Sequence, residues 1–240
     1  MRDRLLSLVG VFAVVAALAL PACGDSRSVG SVTGAVSNSG SAATAVVGKQ
    51  TYTTSDAVIP VMDGPDGTHA ATIDTRLYLP ANATAATPQP AILMTNGFGL
   101  DKLAGEIVSM ADYLARQGYI VLTYSGQGFG GSSGCIRLDS YDYDVKDSQQ
   151  LIDKMLVDPA FKVGNLSVAS VVARDAKGPI IGLIGGSYGG GIVLNMAATD
   201  PRVRAAIPGR TWNSLQYALN PNNLITAGDA TGFAHQRAQQ

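Results

Sequence analysis

Apolar and polar residues follow a pattern from residue 51 onward that predicts strands and helices in turn. Two β-rich runs, 51–61 and 71–79, flank a segment with two Asp-Gly pairs, which favour positive φ and therefore a turn. These runs are predicted to form an antiparallel hairpin. After residue 90, short apolar runs typical of buried strands alternate with segments whose apolar residues recur at helical spacing. The predicted strands are 91–95, 119–124, 179–184 and 203–207, and the predicted helices are 103–117, 144–157 and 188–199.

The order of these elements predicts the fold class. Strands that alternate with helices form a mostly parallel sheet with helices on both faces. The leading hairpin adds antiparallel strands at one edge of that sheet. The chain is therefore predicted to be an α/β protein with one domain over residues 50–240, and its 240 residues suffice for a single core.

The N-terminal segment is predicted to be an export signal and not part of the fold. Two arginines lie among the first four residues, an apolar run extends to residue 20, and Leu-Pro-Ala-Cys follows at 20–23. A basic start, a short apolar stretch and small residues before a cut site are typical of a secretory signal. The sequence Leu-Pro-Ala-Cys resembles a bacterial lipobox, in which the cysteine is acylated. Residues 1–22 are therefore predicted to be a lipoprotein signal peptide and Cys23 the lipidated residue; an uncleaved anchor or a plain signal peptide is the alternative.

The segment that follows is predicted to be a tether. Residues 23–49 are rich in Ser, Gly and Ala. Such a composition buries too little apolar surface to offset its ordering entropy, so this segment is expected to be flexible. Signal, lipidated cysteine and tether together predict a protein that is exported and lipid-anchored to the membrane of a bacterial cell envelope.

Composition excludes some partners. The formal net charge is −1, which leaves no electrostatic footprint for nucleic acid. Paired His or Cys residues at metal-ligand spacing do not occur, so no metal site and no cofactor are predicted.

The segment 185–189 carries the candidate nucleophile. It reads Gly-Gly-Ser-Tyr-Gly between a predicted strand and a predicted helix. In a Gly-x-Ser-x-Gly turn the serine occupies a strained bend that lifts its hydroxyl above the sheet, and the glycines allow close backbone approach. The helix N-terminus behind it favours a developing oxyanion. Ser187 is predicted to be the nucleophile and the backbone N–H of Tyr188 one oxyanion donor. No Lys follows the motif, which excludes a P-loop; a plain tight turn is the alternative.

A second glycine-containing segment is predicted to complete the oxyanion hole. Asn-Gly-Phe-Gly at 96–99 follows the predicted strand 91–95. Hydrolases with a nucleophile elbow take their second oxyanion N–H from a loop at this position, which often begins with His-Gly. Asn96 stands where that His would be, and the backbone N–H of Phe98 is the predicted donor. The alternative is a simple Gly-rich loop.

Four pieces of sequence between about residues 58 and 215 match a known family. They are Ile-Pro-Val-Met-Asp-Gly at 59–64, Leu-Tyr-Leu-Pro at 77–80, Ser-Gly-Gln-Gly-Phe-Gly-Gly-Ser at 125–132 and Gly-Gly-Ser-Tyr-Gly-Gly at 185–190. With these pieces the chain resembles the Xaa-Pro dipeptidyl-peptidase and cocaine esterase group of α/β-hydrolases. That resemblance implies an α/β-hydrolase fold and a Ser-His-Asp hydrolase that acts on esters or on amides of small or peptidic acyl groups. In cocaine-esterase-like members a Tyr side chain near the first oxyanion loop helps to bind the oxyanion, whereas Phe98 has no hydroxyl.

The partners of the nucleophile are not evident. In this fold the chain order is Ser, then acid, then His, on loops after later strands. His69 precedes the sheet and is expected to be a solvated turn residue. His235 follows Ser187, but Asp229 lies only six residues before it, too close for separate strand-end loops, and Asp200 is expected to cap the end of the elbow helix. The chain is therefore expected to be truncated, without the final strands of the fold.

These observations predict an exported serine hydrolase that cleaves ester or peptide bonds through an acyl-enzyme on Ser187. Its substrate would be a small ester or peptide. Two alternatives remain open. One is a catalytically inactive hydrolase-fold lipoprotein that acts as a binding module, which the missing histidine favours. The other is acyl transfer to an acceptor in the cell envelope, which would use the same serine.

Overall fold

A six-stranded sheet forms the centre of the molecule. The computed structural model describes residues 50–219. The strand order is β1–β2–β4–β3–β5–β6, and all pairs from β4 to β6 are parallel. The predicted mostly parallel sheet is thereby confirmed. The strands are β1 (Tyr52–Asp63), β2 (His69–Pro80), β3 (Ala91–Thr95), β4 (Ile120–Tyr124), β5 (Ile181–Gly186) and β6 (Val203–Gly209).

The leading hairpin is also confirmed. β1 and β2 pair antiparallel in continuous register, with Tyr52 opposite Pro80 at one end and Asp63 opposite His69 at the other. β2 pairs antiparallel with β4, and this pairing reaches Thr75 opposite Tyr124. The first residues of β2 therefore extend beyond the carboxyl end of β4. As a result, the closed end of the hairpin projects past the edge where the parallel strands end.

Helices cover both faces of the sheet, as predicted. α1 (Gly105–Arg116) packs on one face. The other face carries α2 (Lys146–Leu151), which continues on both sides as π-helical turns, Tyr141–Val145 and Ile152–Val157, together with α3 (Tyr188–Thr199). Burial of an aliphatic side chain contributes roughly 1.5–3 kcal/mol, so the packing of helices against both faces of the sheet stabilises the fold. The buried helical side chains include Ile107, Ala111 and Ala115 on the first face and Leu151, Met155, Ile192 and Met196 on the second.

Short elements complete the described part of the chain. Two two-residue strand pairs, a 3₁₀ turn and a final short helix were not predicted, because elements of two to five residues carry no periodic signal. Within residues 50–219, no helix combines the length and the apolarity needed to cross a membrane. The predicted signal peptide, the tether and the expected loss of final strands concern residues outside this range. The short elements are Lys162–Val163 with Leu166–Ser167, Arg174–Asp175 with Gly178–Pro179, the turn Val168–Ser170 and α4 (Leu215–Leu219).

Candidate active site

Ser187 occupies the strand–turn–helix position that its motif predicts. It lies between the last residue of β5, Gly186, and the first residue of α3, Tyr188. Its backbone has φ 53° and ψ −115°, a conformation that L-residues rarely adopt and that costs about 1–3 kcal/mol. The Ser187 N–H donates to the Gly209 carbonyl over 2.8 Å, which ties the strained turn to the end of β6. The residue is exposed at the carboxyl edge of the sheet.

The glycines of the motif are required by close backbone contacts. A Cβ on Gly185 would clash with the backbone of Gly189. A Cβ on Gly189 would lie 2.9 Å from the Thr95 carbonyl oxygen and 3.0 Å from that of Asn96. Real Cβ atoms do not approach backbone so closely, so α3 reaches the ends of β3 and β5 only because these positions lack side chains.

The loop after β3 lies beside the elbow. A Cβ on Gly97 would be 3.7 Å from the Gly186 carbonyl oxygen and 4.0 Å from Cβ of Ser187. The Phe98 N–H donates to no backbone acceptor within residues 50–219. The Tyr188 N–H belongs to the first turn of α3, where amides have no intrahelical acceptor. One predicted oxyanion donor thus lies in the loop beside Ser187 and the other in the first turn of α3, and their role stays a prediction.

The side chain of Asn96 holds the loop after β3 in place. Its side chain is fully buried, and Nδ2 donates to the carbonyl oxygens of Gly97 and Leu100 over 2.9 and 3.0 Å. Its Oδ1 accepts the N–H of Gly126 over 2.8 Å. The asparagine that replaces the usual histidine therefore holds the loop after β3 against the loop after β4.

The glycine-rich loop after β4, residues 125–132, contacts the loop after β3 and the start of α3. The Ser125 hydroxyl accepts the Lys102 N–H over 3.1 Å, and the Ser132 hydroxyl donates to the Ser125 carbonyl over 2.7 Å. Phe129 is buried and packs edge-on against the rings of Phe98 and Tyr188, with centroids 5.5 and 5.3 Å apart. Segment 125–132 therefore supports the candidate site by packing against its loop and against Tyr188. The family resemblance includes this segment but implies no role for it.

Buried carboxyl groups lie on the α2 side of the elbow. Burial raises the pKa of Asp139 to about 8, with the neighbouring charge of Asp144 adding to the effect. Burial likewise raises the pKa of Asp144 to about 6 and that of Asp147 to about 9. Asp147 shares the side-chain amide of Gln127 with Asp63. In the part of the chain that the structure describes, no group of three or more potential ligands is arranged to hold a metal ion.

His69 is not the solvated turn residue that the sequence suggested. It begins β2, and its Nδ1 lies 2.5 Å from Oδ1 of the fully buried Asp63. The expectation was wrong because β1 and β2 continue to their closed end, which pairs these two residues across the hairpin. β2 is three strand positions from β5, a lateral distance of about 14 Å. An imidazole at that distance does not reach Ser187.

Two further residues, Asp200 and Lys102, have a clear place in the structure. Asp200 forms the C-cap of α3, as expected, and its carboxylate binds Arg202. His235 and Asp229 lie outside the described residues. Lys102 was missed: it is buried behind the loop after β3, and its ammonium group binds Asp74 and Asp56.

Solved structures share this architecture. A hypothetical protein from Pseudomonas aeruginosa superposes with a TM-score of 0.55 and 23% identity over 82% of this chain and 54% of its own. An esterase from Pyrococcus furiosus gives a TM-score of 0.50 and 12% identity over 72% of this chain and 57% of its own. The chain thus spans little more than half the length of these structures. At such identities the likeness establishes the fold, and the fold is that of the α/β-hydrolases.

A match to a protein-family model identifies the family of the chain. The model of the X-Pro dipeptidyl-peptidase family, S15, matches residues 66–240, well over half of the chain. The chain therefore belongs to the X-Pro dipeptidyl-peptidase (S15) family, and the resemblance found in the sequence is confirmed. No curated protein sequence matches it significantly.

Proposed function

We propose that this protein is a serine hydrolase that cleaves ester or amide bonds through an acyl-enzyme on Ser187. The observation that carries the proposal is the strained, exposed serine at the start of α3, beside a loop in which a Cβ on Gly97 would lie 4.0 Å from Cβ of Ser187. Backbone strain of this kind persists at functional sites because the surrounding structure holds it. Membership in a hydrolase family supports the same conclusion.

The proposed reaction has two steps. The Ser187 hydroxyl loses its proton to a general base while Oγ attacks the substrate carbonyl carbon, and the carbonyl oxygen becomes an oxyanion. The amides of Phe98 and Tyr188 donate to that oxyanion, and each such donor contributes about 10²–10³-fold in rate. The tetrahedral species collapses, the bond to the leaving group breaks, and the leaving group takes the proton from the base. Water then attacks the acyl ester with the same base and releases the acid.

The general base is the open element of this proposal. His69 is the one histidine among residues 50–219, and Asp63 holds it in the hairpin. His235 is the other histidine of the chain. The variant His235→Ala tests whether that residue is the base, and His69→Ala is its control, because an imidazole on β2 does not reach Ser187. Loss of reaction at Ser187 in His235→Ala alone would identify His235 as the base.

A fluorophosphonate probe tests the proposal directly. We expect the probe to label the folded chain, peptide mapping to locate the adduct on Ser187, and Ser187→Ala to abolish it. Heat-denatured chain is the matched control, because unfolding removes the elbow without removing the hydroxyl. If neither residues 1–240 nor a longer chain that adds the later strands of the fold reacts, the hydrolase assignment is overturned and the non-catalytic binding module remains.

Substrate class follows from the family and not from the described side chains. We propose small esters or X-Pro peptides as substrates, since the family is one of X-Pro dipeptidyl-peptidases and a fold neighbour is an esterase. Comparison of p-nitrophenyl acetate with an X-Pro p-nitroanilide distinguishes them. Transfer of the acyl group to an added amine in place of water would identify the acyltransferase alternative.

We further propose that the protein is exported and anchored to the cell membrane through a lipid on Cys23. The basic start, the apolar run and the Leu-Pro-Ala-Cys sequence support this location. We expect the wild-type chain in the membrane fraction, and Cys23→Ala in the soluble fraction. Recovery of Cys23 without a thioether to lipid would contradict the anchor.

A further inference from the structure

The side chain of Tyr188 connects the two segments that carry the proposed oxyanion donors, the loop after β3 and the start of α3. It is 2% exposed, and its ring packs edge-on against Phe129 and Phe98 with centroids 5.3 and 6.1 Å apart. Phe98 and Phe129 are themselves 5.5 Å apart. Each of these three rings therefore contacts the other two. Two of them belong to the residues whose amides would bind the oxyanion.

The hydroxyl of Tyr188 is held at the buried end of this cluster. It donates to Oδ2 of Asp144 over 3.2 Å and accepts the N–H of Asp139 over 3.3 Å. Asp144 is itself 2% exposed, and the same oxygen accepts the N–H of Ser140 over 3.0 Å. Burial raises the pKa of Tyr188, so its hydroxyl keeps its proton and acts as a donor. The phenol is thus fixed at both ends, by rings near the surface and by a carboxyl group in the interior.

We infer that Tyr188 is a positioning residue, whose hydroxyl bond to Asp144 and ring contacts with Phe98 and Phe129 hold both oxyanion amides in place. This inference rests on the proposed function of Ser187. Oxyanion donors act only within about 2.7–3.1 Å of the developing charge. The Tyr188 amide adjoins a strained peptide that would relax if nothing opposed it. Because the Tyr188 ring is held at its hydroxyl end, the backbone at Tyr188 cannot rotate to relieve that strain. The contact of the ring with Phe98 also holds the second donor in place.

A buried tyrosine bonded to an aspartate also occurs elsewhere in the molecule, and it provides the matched control. Tyr52 is 7% exposed, its hydroxyl donates to Oδ1 of Asp112 over 2.5 Å, and its ring packs against Tyr78 at 5.6 Å. It belongs to the core on the α1 face of the sheet. Loss of this hydroxyl removes the same chemical interaction without touching the candidate site.

The kinetic test compares Tyr188→Phe with Tyr52→Phe in the full chain. We expect Tyr188→Phe to lower kcat for p-nitrophenyl acetate about tenfold with KM within about twofold, since it weakens a contact made in the transition state. Fluorophosphonate labelling of Ser187 should slow by a similar factor. Tyr52→Phe should alter neither. Equal losses in both variants, or full activity of Tyr188→Phe, would show that Tyr188 is an ordinary core residue.

A second measurement does not depend on activity. The Ser187 amide donates to Gly209 and the Leu100 amide donates to Gly97, so both are protected reporters of the two loops. We expect hydrogen exchange in peptides covering 97–103 and 185–191 to accelerate in Tyr188→Phe and to stay unchanged in Tyr52→Phe. Asp144→Asn removes the charge but keeps the size of the side chain, and it should accelerate hydrogen exchange in the same peptides. This variant replaces Tyr188→Phe in the test if Tyr188→Phe does not fold.

The two measurements separate the two proposals. Accelerated exchange in a chain that fluorophosphonate does not label would show that Tyr188 anchors the two segments, but would refute the hydrolase function and with it a role in oxyanion binding. Normal labelling with unchanged exchange and unchanged kcat would refute the positioning role and leave the function intact.

Discussion

Ser187→Gly is expected to abolish fluorophosphonate labelling and ester hydrolysis while it raises the stability of the fold. Ser187 has φ 53° and ψ −115°, which glycine adopts without a steric penalty. Relief of about 1–3 kcal/mol of strain outweighs the extra backbone entropy of an unfolded glycine, about 0.5–1 kcal/mol. The net gain is about 1 kcal/mol, or about 3 °C in Tm for a domain of this size.

Ser187→Ala is the matched control for this prediction. It removes the same hydroxyl and keeps Cβ, so it should lose activity to the same extent with stability within about 0.5 kcal/mol of wild type. Urea unfolding and thermal melts of both variants supply the comparison. A glycine variant no more stable than the alanine variant would show that the turn is not strained in solution.

Lys102→Met is expected to destabilise the protein by about 2–4 kcal/mol. The Lys102 ammonium group is buried and donates to carboxylates of Asp74 and Asp56 and to the Thr75 carbonyl, the last over 3.0 Å. Removal of one partner from a buried ion pair costs 3–5 kcal/mol. The loss is smaller here because Asp56 keeps Arg76, whose guanidinium lowers the pKa of that carboxyl more than Lys102 does. Denaturant unfolding measures the change.

Two variants sharpen this prediction. Lys146→Met removes a more exposed ion pair, with Asp142 at 3.1 Å, and should cost no more than about 1 kcal/mol. Asp74→Asn in the Lys102→Met background should recover part of the lost stability, because it removes the carboxylate left without its lysine. If Lys102→Met were no more damaging than Lys146→Met, the buried network would contribute nothing to the fold.

The elements that the sequence predicted best are those whose signal is local. β3 and α3 begin and end at the predicted residues, because Pro90 and Gly97 bound one apolar run and Asp200-Pro201 ends the other. Ser187 could be placed for the same reason: strand, glycine turn and helix lie within twenty consecutive residues. Helical spacing also predicted α1 and the helix around α2 to within a few residues.

Pairings between distant segments could not be predicted in this way. His69 was misjudged because its partner Asp63 is defined by the register of the hairpin and not by its own neighbours. Lys102 binds strands nearly 30 and 50 positions earlier in the chain. The bond from Tyr188 to Asp144 crosses 44 positions. A single sequence shows the residue types of such pairs but not which of them meet.

The glycines at the start of α3 bear on the order in which the protein folds. Gly189, Gly190 and Gly191 occupy the first turn, and each glycine costs about 1 kcal/mol of helix propensity relative to alanine. This turn therefore cannot nucleate on its own and forms only when it docks on the end of β3. Contacts of this kind, between segments distant in sequence, form late because loop closure opposes them. We therefore expect the strained serine to acquire its geometry in the last stage of folding, so that a partly folded chain carries an ordinary serine and no reactive one.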